Sequence, residues 1–503
     1  MDLQTTYKEI SIPKTLYENY IEDKLEQDLI IPDYYCSAQK IIHCEASTQI
    51  LSKNISEDKI VLEGRCIWRI LYQSDEDNAL HHISCEKAFT EIFSAPDVSG
   101  NIRYKIKAKN VYCKLLSATK AECKSTLCIA IKIDGKASKK MLVSSENKEL
   151  QLKIKNTRHF QLETHFEKEF HIIGEILLKR RNEYDVYKSN AQLIVKECRC
   201  YDGKVAVKGI CKNSVILLSG DTCQAETAEI ETPFVQMIES DELCENWYAY
   251  VHCEVVDCDV SFVEESGEEA LMVKNNIVAN VDAYSSKEVS ACTDAYHTQK
   301  DLNYHYENIE FNRDIQSVET LTHMSHKIHM DTKDMSVLFF ESRSDIVKID
   351  VQDAVMIVDG SLEVDCLYTS NENVSFKTFT FPFQVTRQLE GNFDRLKCDA
   401  QTSVDNFNFI ILNDNELEIS CDCRTSMAIY IIECCKSLSD LGILDTKSER
   451  VLKTPMVIYY GSKNESLWEI CKEHSVPIQA VRENNDLFEE RLSEDRVIFI
   501  TKQ

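Results

Sequence analysis

Three stretches of sequence repeat one pattern: VLEGRCIWRILY (61–72), VAVKGICKNSVILL (205–218) and MIVDGSLEVDCLY (356–368). Each alternates apolar and polar residues around a single glycine, which is Gly64, Gly209 or Gly360. Such alternation is typical of a half-buried β-strand, and a glycine inside it indicates a bulge or a close approach of backbone. The glycines lie about 150 residues apart, which indicates an internal repeat.

Other landmarks accompany the glycine strands in the same order. Each third of the chain has an aromatic and charged opening, an isolated proline and a cysteine-centred strand, at Tyr7, Phe166 and Tyr306, at Pro96, Pro233 and Pro382, and at Cys113, Cys253 and Cys398. We predict three homologous units over residues 1–150, 151–298 and 299–440. The charged intervals 135–149 and 285–301 have little apolar periodicity and are expected to separate them.

The fold class follows from the dominance of period-2 alternation. Stretches such as ELEISCDCRTSMAIYI (416–431) place Ile, Cys and Tyr at the apolar phase, as half-buried antiparallel strands do. Asp202-Gly203 between two such runs indicates a hairpin turn. The sequence therefore predicts a mainly β protein with three antiparallel, β-sandwich-like repeats.

The pattern changes after a linker that we expect at 441–454. In residues 455–503 the strand-like runs MVIYY and RVIFI flank two short helical segments. Ser466 to Glu469 has the form of a capping box, and Pro477 stands near the start of the second helix. We predict a small α/β unit with the order strand, helix, helix, strand (βααβ).

This C-terminal unit resembles a LysM module. The glycine after the first strand is Gly461, the Leu-Trp opening of the first helix is Leu467-Trp468, and the Asn-Asn exit of the second is Asn484-Asn485. Glycan-binding LysM modules have a shorter loop after the glycine, and their late Gly-Gln pair is replaced here near Glu494-Asp495. The resemblance therefore favours docking of a protein. Binding of peptidoglycan or a chitin-type glycan is the alternative.

The three upstream repeats are similar to the SPOCS repeats of spore-coat-associated proteins. DLIIPDYYCSAQKIIHCEA (28–46) carries the stretch around Ile30 to Asp33 that marks this family, and it stands clearly only in the first repeat. SPOCS repeats followed by one LysM resemble the SipL type of spore coat morphogenetic protein in spore-forming clostridia. The resemblance implies a non-enzymatic scaffold located in the mother-cell cytoplasm, at the forespore surface and in the spore coat.

The same resemblance implies that the tail docks onto the coat-basement morphogenetic ATPase and that the β repeats recruit other coat proteins. Protein contacts favour aromatic and arginine side chains. In the tail we select six candidate protein-binding residues: Tyr459, Tyr460, Lys463, Arg482, Leu487 and Phe488. Only one of Tyr459 and Tyr460 can face the core, because strand neighbours point to opposite faces. Leu487 and Phe488 form either an exposed docking pair or part of the core of the small unit, and Trp468 is interpreted as a core anchor.

Charge and composition narrow the classes of partner. Acidic residues outnumber basic ones by 84 to 57, which gives a formal net charge of −27. This excess opposes a nucleic-acid partner and adhesion to an anionic membrane. We expect neither a membrane span nor a signal peptide. The 22 cysteines are too sparse for a disulfide scaffold, so a reducing cytosol and mostly buried thiols are expected.

No motif indicates an enzyme, a cofactor or a metal. The sequence lacks a P-loop, a dinucleotide-binding glycine pattern, a zinc-protease motif and a nucleophile elbow. His323, His326 and His329 are interpreted as satisfied or solvated side chains, although His326 and His329 would share the face of a helix. Cys434 and Cys435 would point to opposite faces of a strand. An unrecognised enzyme that uses residues such as His326 and Cys435 is the second alternative.

Overall fold

The computed structural model describes residues 3–98, 100–178, 184–219, 224–265, 268–330, 335–352, 354–370, 373–390, 393–447 and 454–501. These residues form twenty strands and two helices. Neither helix in this part of the chain has the length and apolarity that crossing a membrane requires.

Each repeat contains six long strands. Those of the first repeat are β1 (Thr5–Ile30), β2 (Ala38–Ser56), β3 (Lys59–Ser74), β4 (Leu80–Ser94), β5 (Asn101–Ser117) and β6 (Lys120–Ser145). Those of the second are β7 (Leu150–Leu177), β8 (Tyr184–Tyr201), β9 (Lys204–Ser219), β10 (Ala225–Glu239), β11 (Tyr248–Glu265) and β12 (Glu268–His297). Those of the third are β13 (Lys300–His329), β14 (Met335–Gln352), β15 (Val355–Ser370), β16 (Asn373–Gln388), β17 (Arg395–Asn413) and β18 (Glu416–Lys447).

The three repeats share one topology of two three-stranded antiparallel sheets. The sheets are β1-β6-β5 with β2-β3-β4, β7-β12-β11 with β8-β9-β10, and β13-β18-β17 with β14-β15-β16. In every repeat the second to fourth strands form a meander, and the fifth and sixth return to the first. Side chains from both sheets of a repeat meet in a hydrophobic core. The predicted fold class of three homologous antiparallel sandwiches is confirmed.

The glycine of each repeated stretch faces a phenylalanine on the neighbouring strand. The cross-strand pairs are Gly64 with Phe89, Gly209 with Phe234 and Gly360 with Phe383. A Cβ atom on these glycines would lie 2.6, 2.8 and 2.2 Å from the respective ring. The glycine is therefore needed because an aromatic ring lies directly over the backbone, which is the close approach that the sequence allowed for.

The proline landmark is equivalent in only two of the repeats. Pro233 and Pro382 lie within β10 and β16, next to the phenylalanines that cover the glycines. Pro96 instead follows the end of β4, and Ala88 occupies the corresponding register position opposite Arg65. Both strand prolines lie on the outer strands of three-stranded sheets, where a missing N–H need not interrupt the ladder.

The first and sixth strands of each repeat continue beyond the sandwich as a two-stranded ribbon. In the first repeat β5 pairs with β6 up to Asp134, whereas β1 stays paired with β6 as far as Ser145. We call these extensions the inter-repeat ribbons, and they comprise 5–14 with 135–145, 150–161 with 285–297, and 300–311 with 433–447. The charged intervals 135–149 and 285–301, and residues 441–447 of the expected linker, are therefore largely strand.

The three inter-repeat ribbons pack against one another and share a core. One buried cluster combines Met141, Val289, Ala291, Ile309, Phe311 and Cys435. Another combines Leu142, Leu150, Cys292, Leu302 and Leu438. Lysines of the ribbons also pair across repeats, since Lys139 lies 2.6 Å from Glu307 and Lys155 lies 2.5 Å from Glu433. Charged residues of the intervals that we interpreted as solvated boundaries thus form ion pairs between repeats.

A buried lysine joins the three repeats at a second junction. Lys188 of β8 contacts Glu45 of β2 and lies 2.6 Å from Glu341 of β14. The three side chains are only 14, 18 and 15% exposed, respectively. Burial raises the pKa of Glu341. Burial alone would lower the pKa of Lys188, but the carboxylates of Glu341 and Glu45 raise it above its ordinary value, so the lysine is cationic.

The C-terminal unit has the predicted βααβ order. Its elements are β19 (Met456–Gly461), α1 (Leu467–Glu473), α2 (Ile478–Asn485) and β20 (Arg496–Thr501), and the two strands pair in antiparallel fashion. The predicted capping box does not form, because the Ser466 side chain makes no cap hydrogen bond. Pro477 is the N-cap residue of α2.

The glycine under the aromatic ring can be tested in the third repeat. We expect Gly360→Ala to lower the free energy of unfolding by about 1–3 kcal/mol, because the new methyl group overlaps the Phe383 ring. Gly442→Ala is the control, since its Cβ would meet only Asn303 Cβ, at 3.8 Å. Denaturant unfolding followed by circular dichroism measures both variants, and equal stabilities would contradict the role given to the ring.

The buried lysine gives a second prediction. Lys188→Met removes the counter-charge of Glu341 and leaves Glu45 with only Arg69, at 3.6 Å, so we expect a loss of about 3–5 kcal/mol in the free energy of unfolding at neutral pH. The loss should shrink on acidification, because protonation removes the unpaired charges. Lys204→Met, which replaces an exposed lysine at the start of β9, is the matched control. A loss no larger than that of the control would show that the junction does not depend on this charge.

Candidate protein-docking surface on the C-terminal unit

The C-terminal unit is fixed to the second repeat by Trp468 and Lys472 of α1. The indole Nε1 donates to Asp294 Oδ2 at 2.8 Å, and the Lys472 ammonium donates to Asp294 Oδ1 at 2.7 Å. Asp294 follows a register shift in β12, and such irregularities redirect a side chain out of the strand. Trp468 is 6% exposed, so it serves as an anchor in the core and not as an open platform.

A tyrosine of the second repeat completes this attachment. The Tyr296 hydroxyl donates to the carbonyl of Val476 at 2.7 Å, and its ring meets the Trp468 ring edge-on with centroids 5.0 Å apart. Tyr296 therefore belongs to the core of the C-terminal unit, together with Leu467, Ile470, Cys471, Val481, Leu492, Ile498 and Ile500. These contacts join the C-terminal unit directly to the second repeat.

The β19-β20 sheet buries one face against this core and leaves the other uncovered. The uncovered face carries five large apolar residues: Met456, Ile458, Tyr460, Val497 and Phe499. They are 49, 50, 78, 40 and 44% exposed, respectively. Ile458 lies opposite Phe499 and Tyr460 lies opposite Val497, so these side chains form adjacent cross-strand pairs. We call this surface the outer sheet face.

Three of the six candidate residues are exposed. Tyr460 belongs to the outer sheet face, and Phe488, in the connection between α2 and β20, is 89% exposed. Lys463 is exposed in the loop after β19, where its backbone N–H donates to Asp495 Oδ1 at 2.7 Å. These three side chains are accessible to a partner.

The other three candidates are turned toward the unit itself. Tyr459 faces inward, as the alternation with Tyr460 requires, and its hydroxyl donates to Glu465 Oε1 at 2.5 Å, which raises the Tyr459 pKa to about 12. Arg482 of α2 is half-buried. Leu487, for which exposure and a place in the core were both open, is 6% exposed and lies in the core of the unit. It is drawn inward because its N–H caps the carbonyl of Arg482 at the end of α2.

Met456, Ile458, Val497 and Phe499 were not among the binding residues predicted from the sequence. A usable signal was present, since MVIYY and RVIFI are apolar at both phases of the alternation. When helices cover only one face of a two-stranded sheet, only the residues on that face belong to its core. Apolar residues on the other face do not contribute to that core. Apolar residues at both phases thus mark a sheet whose second face is exposed.

The loop after β19 and the loop before β20 are joined to each other by backbone hydrogen bonds. Asn464 N–H donates to the Leu492 carbonyl at 2.8 Å, and Leu492 N–H donates to the Glu465 carbonyl at 3.0 Å. Ser462 N–H is bound by the Glu465 carboxylate at 2.9 Å. These backbone donors are therefore already used inside the protein.

The three histidines singled out in the sequence lie on a strand and not on a helix. In β13, residues three apart point to opposite faces, so His323, His326 and His329 do not converge. His323 binds Asp422 at 2.9 Å, and the His326 ring stacks on Phe381 with centroids 4.2 Å apart. The interpretation of satisfied side chains agrees with these contacts.

The adjacent cysteines of β18 behave as strand neighbours. Cys434 is exposed, whereas Cys435 is 4% exposed and packs in the shared core of the inter-repeat ribbons. His326 and Cys435, the residues named for an enzymatic alternative, pair with different parts of the sheet, at Ile419 and Ile309 respectively.

A cleft of about 810 Å³ lies between the second and third repeats. Its wall includes Arg424, which binds the buried carboxylate of Asp405 at 2.6 Å. Asp405 also lies 3.2 Å from Lys212 of the second repeat. The charged groups at this cleft thus hold the two repeats together.

Comparison with known families agrees with the repeat structure. The family described as SipL, SPOCS domain matches residues 37–115, 184–263 and 335–412. Each matched segment spans the meander and the fifth strand of one repeat, so the family pattern recurs at the same place in all three sandwiches. No curated protein and no solved structure gives a significant match to the chain.

The family match thus rests on three segments that the structure shows to be topologically equivalent. It associates the chain with sporulation and the spore coat. The chain therefore carries three tandem SPOCS domains of the kind that the SipL family model describes.

Proposed function

We propose that the protein is a non-enzymatic scaffold of spore coat assembly whose C-terminal unit docks onto the coat-basement morphogenetic ATPase. The observation that carries the proposal is the outer sheet face, where five large apolar side chains are each at least 40% exposed. Contiguous exposed apolar residues mark a surface that another molecule covers. The resemblance of the chain to SipL-type proteins supplies the identity of the partner.

The chemistry of the outer sheet face suits a protein partner. Tyr460 and Phe499 are aromatic, and aromatic side chains provide most of the binding energy in many protein interfaces. They are held on paired strands, so little side-chain and backbone freedom is lost on binding. The face has no row of hydrogen-bonding groups of the kind that a sugar requires.

The loops of the C-terminal unit support docking of a protein over binding of a glycan. In the glycan-binding mode, backbone groups of these loops hold N-acetyl groups. Here the N–H groups of Ser462, Asn464 and Leu492 are satisfied by Glu465 and by the opposite loop. A sugar would have to compete with these hydrogen bonds, which favours the protein partner.

The three SPOCS repeats act in this proposal as a rigid platform that recruits other coat proteins. The inter-repeat ribbons and the Lys188 junction hold the repeats in one arrangement. The protein would work in the mother-cell cytoplasm and at the forespore surface, and it would need no cofactor. The excess of 84 acidic over 57 basic residues opposes a nucleic-acid partner.

Charge placed on the outer sheet face tests the docking. We expect Tyr460→Asp in the full chain to raise the Kd for the purified ATPase at least tenfold, because a desolvated carboxylate replaces an exposed aromatic contact. Tyr112→Asp is the matched control, since Tyr112 is a 54% exposed strand tyrosine in the first repeat. Surface plasmon resonance measures both variants, and an unchanged Kd for Tyr460→Asp would reject the face as the docking site.

The glycan alternative is tested with the wild-type chain. Sedimentation with insoluble peptidoglycan should leave the wild-type chain in the supernatant. Retention that withstands moderate salt would favour a glycan-binding function instead.

A further inference from the structure

Three side chains with different ligand chemistry converge at one end of the first repeat. Cys36 lies in the connection between β1 and β2, Asp77 lies in the turn between β3 and β4, and His81 is on β4. One ligand atom from each lies within 4.8 Å of the other two. The Cys36 sulfur is 3.7 Å from Asp77 Oδ2, and His81 Nε2 is 2.9 Å from the same oxygen.

These distances are close to those between two ligand atoms that bind the same metal ion. Zinc binds thiolate sulfur at about 2.3 Å and imidazole nitrogen or carboxylate oxygen at about 2.0–2.2 Å. In a tetrahedron, such bonds separate the ligand atoms by roughly 3.3–3.6 Å. The distance between Cys36 and Asp77 already fits, and the contact between His81 and Asp77 needs only to lengthen by a few tenths of an ångström.

The connection that carries Cys36 is held onto the turn by contacts that do not use the three ligand atoms. The Tyr72 hydroxyl donates to the Cys36 carbonyl at 3.0 Å, and Ser37 N–H donates to Glu76 Oε1 at 3.1 Å. Asp75 N–H also donates to the Ser37 carbonyl at 3.3 Å. The two segments are thus brought together before any ion binds, which reduces the ordering that binding requires.

The Asp77 carboxylate is also oriented. Its Oδ1 accepts the Ala79 N–H at 2.9 Å, which leaves Oδ2 directed at Cys36 and His81. The side chain of Asp77 is 41% exposed and that of His81 is 20% exposed, so an ion can reach them from solvent.

We propose that Cys36, Asp77 and His81 bind one divalent cation of the zinc class. A thiolate and an imidazole select borderline-soft ions over Mg²⁺ and Ca²⁺, which prefer oxygen ligands. Three protein ligands leave a fourth position for water. The ion links the connection after β1 to the turn after β3, and so fixes the rim of the first repeat.

The site belongs to the first repeat alone. The sequences that precede the second and third meanders, 178–183 and 330–334, contain neither cysteine nor histidine. A single cation per chain is therefore expected from this arrangement, and the SPOCS repeats differ in this respect even though their topology is the same.

The test uses the full chain, freed of metal with a chelator and titrated with Zn²⁺ and with Co²⁺. We expect one tight equivalent of Zn²⁺, with a thiolate-to-cobalt charge-transfer band when Co²⁺ is bound. Cys36→Ser should remove the band, and His81→Asn should weaken Zn²⁺ binding at least tenfold. Excess Ca²⁺ should not compete.

Cys244→Ser is the control, because Cys244 is an exposed thiol that lies outside this group. It should bind Zn²⁺ like the wild-type chain. Zn²⁺ should also raise the melting temperature of the wild type and of Cys244→Ser but not of Cys36→Ser. Absence of a tight equivalent in the wild type, or equal binding by Cys36→Ser and Cys244→Ser, would overturn the proposal.

Discussion

The packing of the inter-repeat ribbons is the constraint on which the rest of the structure depends. An isolated two-stranded ribbon is marginally stable, because one sheet of two strands cannot bury both of its faces. Each of the three ribbons buries residues such as Met141, Ala291 and Phe311 against the other two. The sandwiches are consequently joined by continuous strands and not by linkers, and their relative orientation follows from the shared core.

The same constraint determines where the C-terminal unit lies. The ribbon of the second repeat carries Asp294 and Tyr296, and both residues contact the unit directly. In sequence, the C-terminal unit follows β18 of the third repeat. Its Trp468, Lys472 and Val476 nevertheless contact the second repeat. The outer sheet face of β19 and β20 is thus presented from a base that two repeats build together.

Much of this fold could be predicted because the relevant signals are local. Gly64, Gly209 and Gly360 marked the central strand of each meander, since the phenylalanine opposite each of them tolerates no side chain there. The βααβ order could be read from helix and strand periodicity within fifty residues. Pro96 was wrongly matched with Pro233 and Pro382, and the charged intervals were wrongly interpreted as boundaries. Both depend on how the strands are paired, which local sequence does not show. Lys139 looks solvated in sequence, whereas its partner Glu307 is about 170 residues away.

The candidate site was only partly predictable for a related reason. Alternation correctly separated Tyr459 from Tyr460, but exposure of Leu487 depends on how α2 ends, which residue types alone do not reveal. The convergence of Cys36 with His81 requires the β3-β4 turn to fold back onto the β1-β2 connection, so it has no counterpart in sequence spacing.

Attachment of the C-terminal unit through Trp468 and Lys472 to a single carboxylate, that of Asp294, has a geometrical consequence. A partner seated on β19 and β20 would be held at a fixed angle to the three sandwiches, without the freedom that a hinge would allow. Copies arrayed on a common support would all point the same way, and the layer they form would have a uniform thickness and a uniform outward surface.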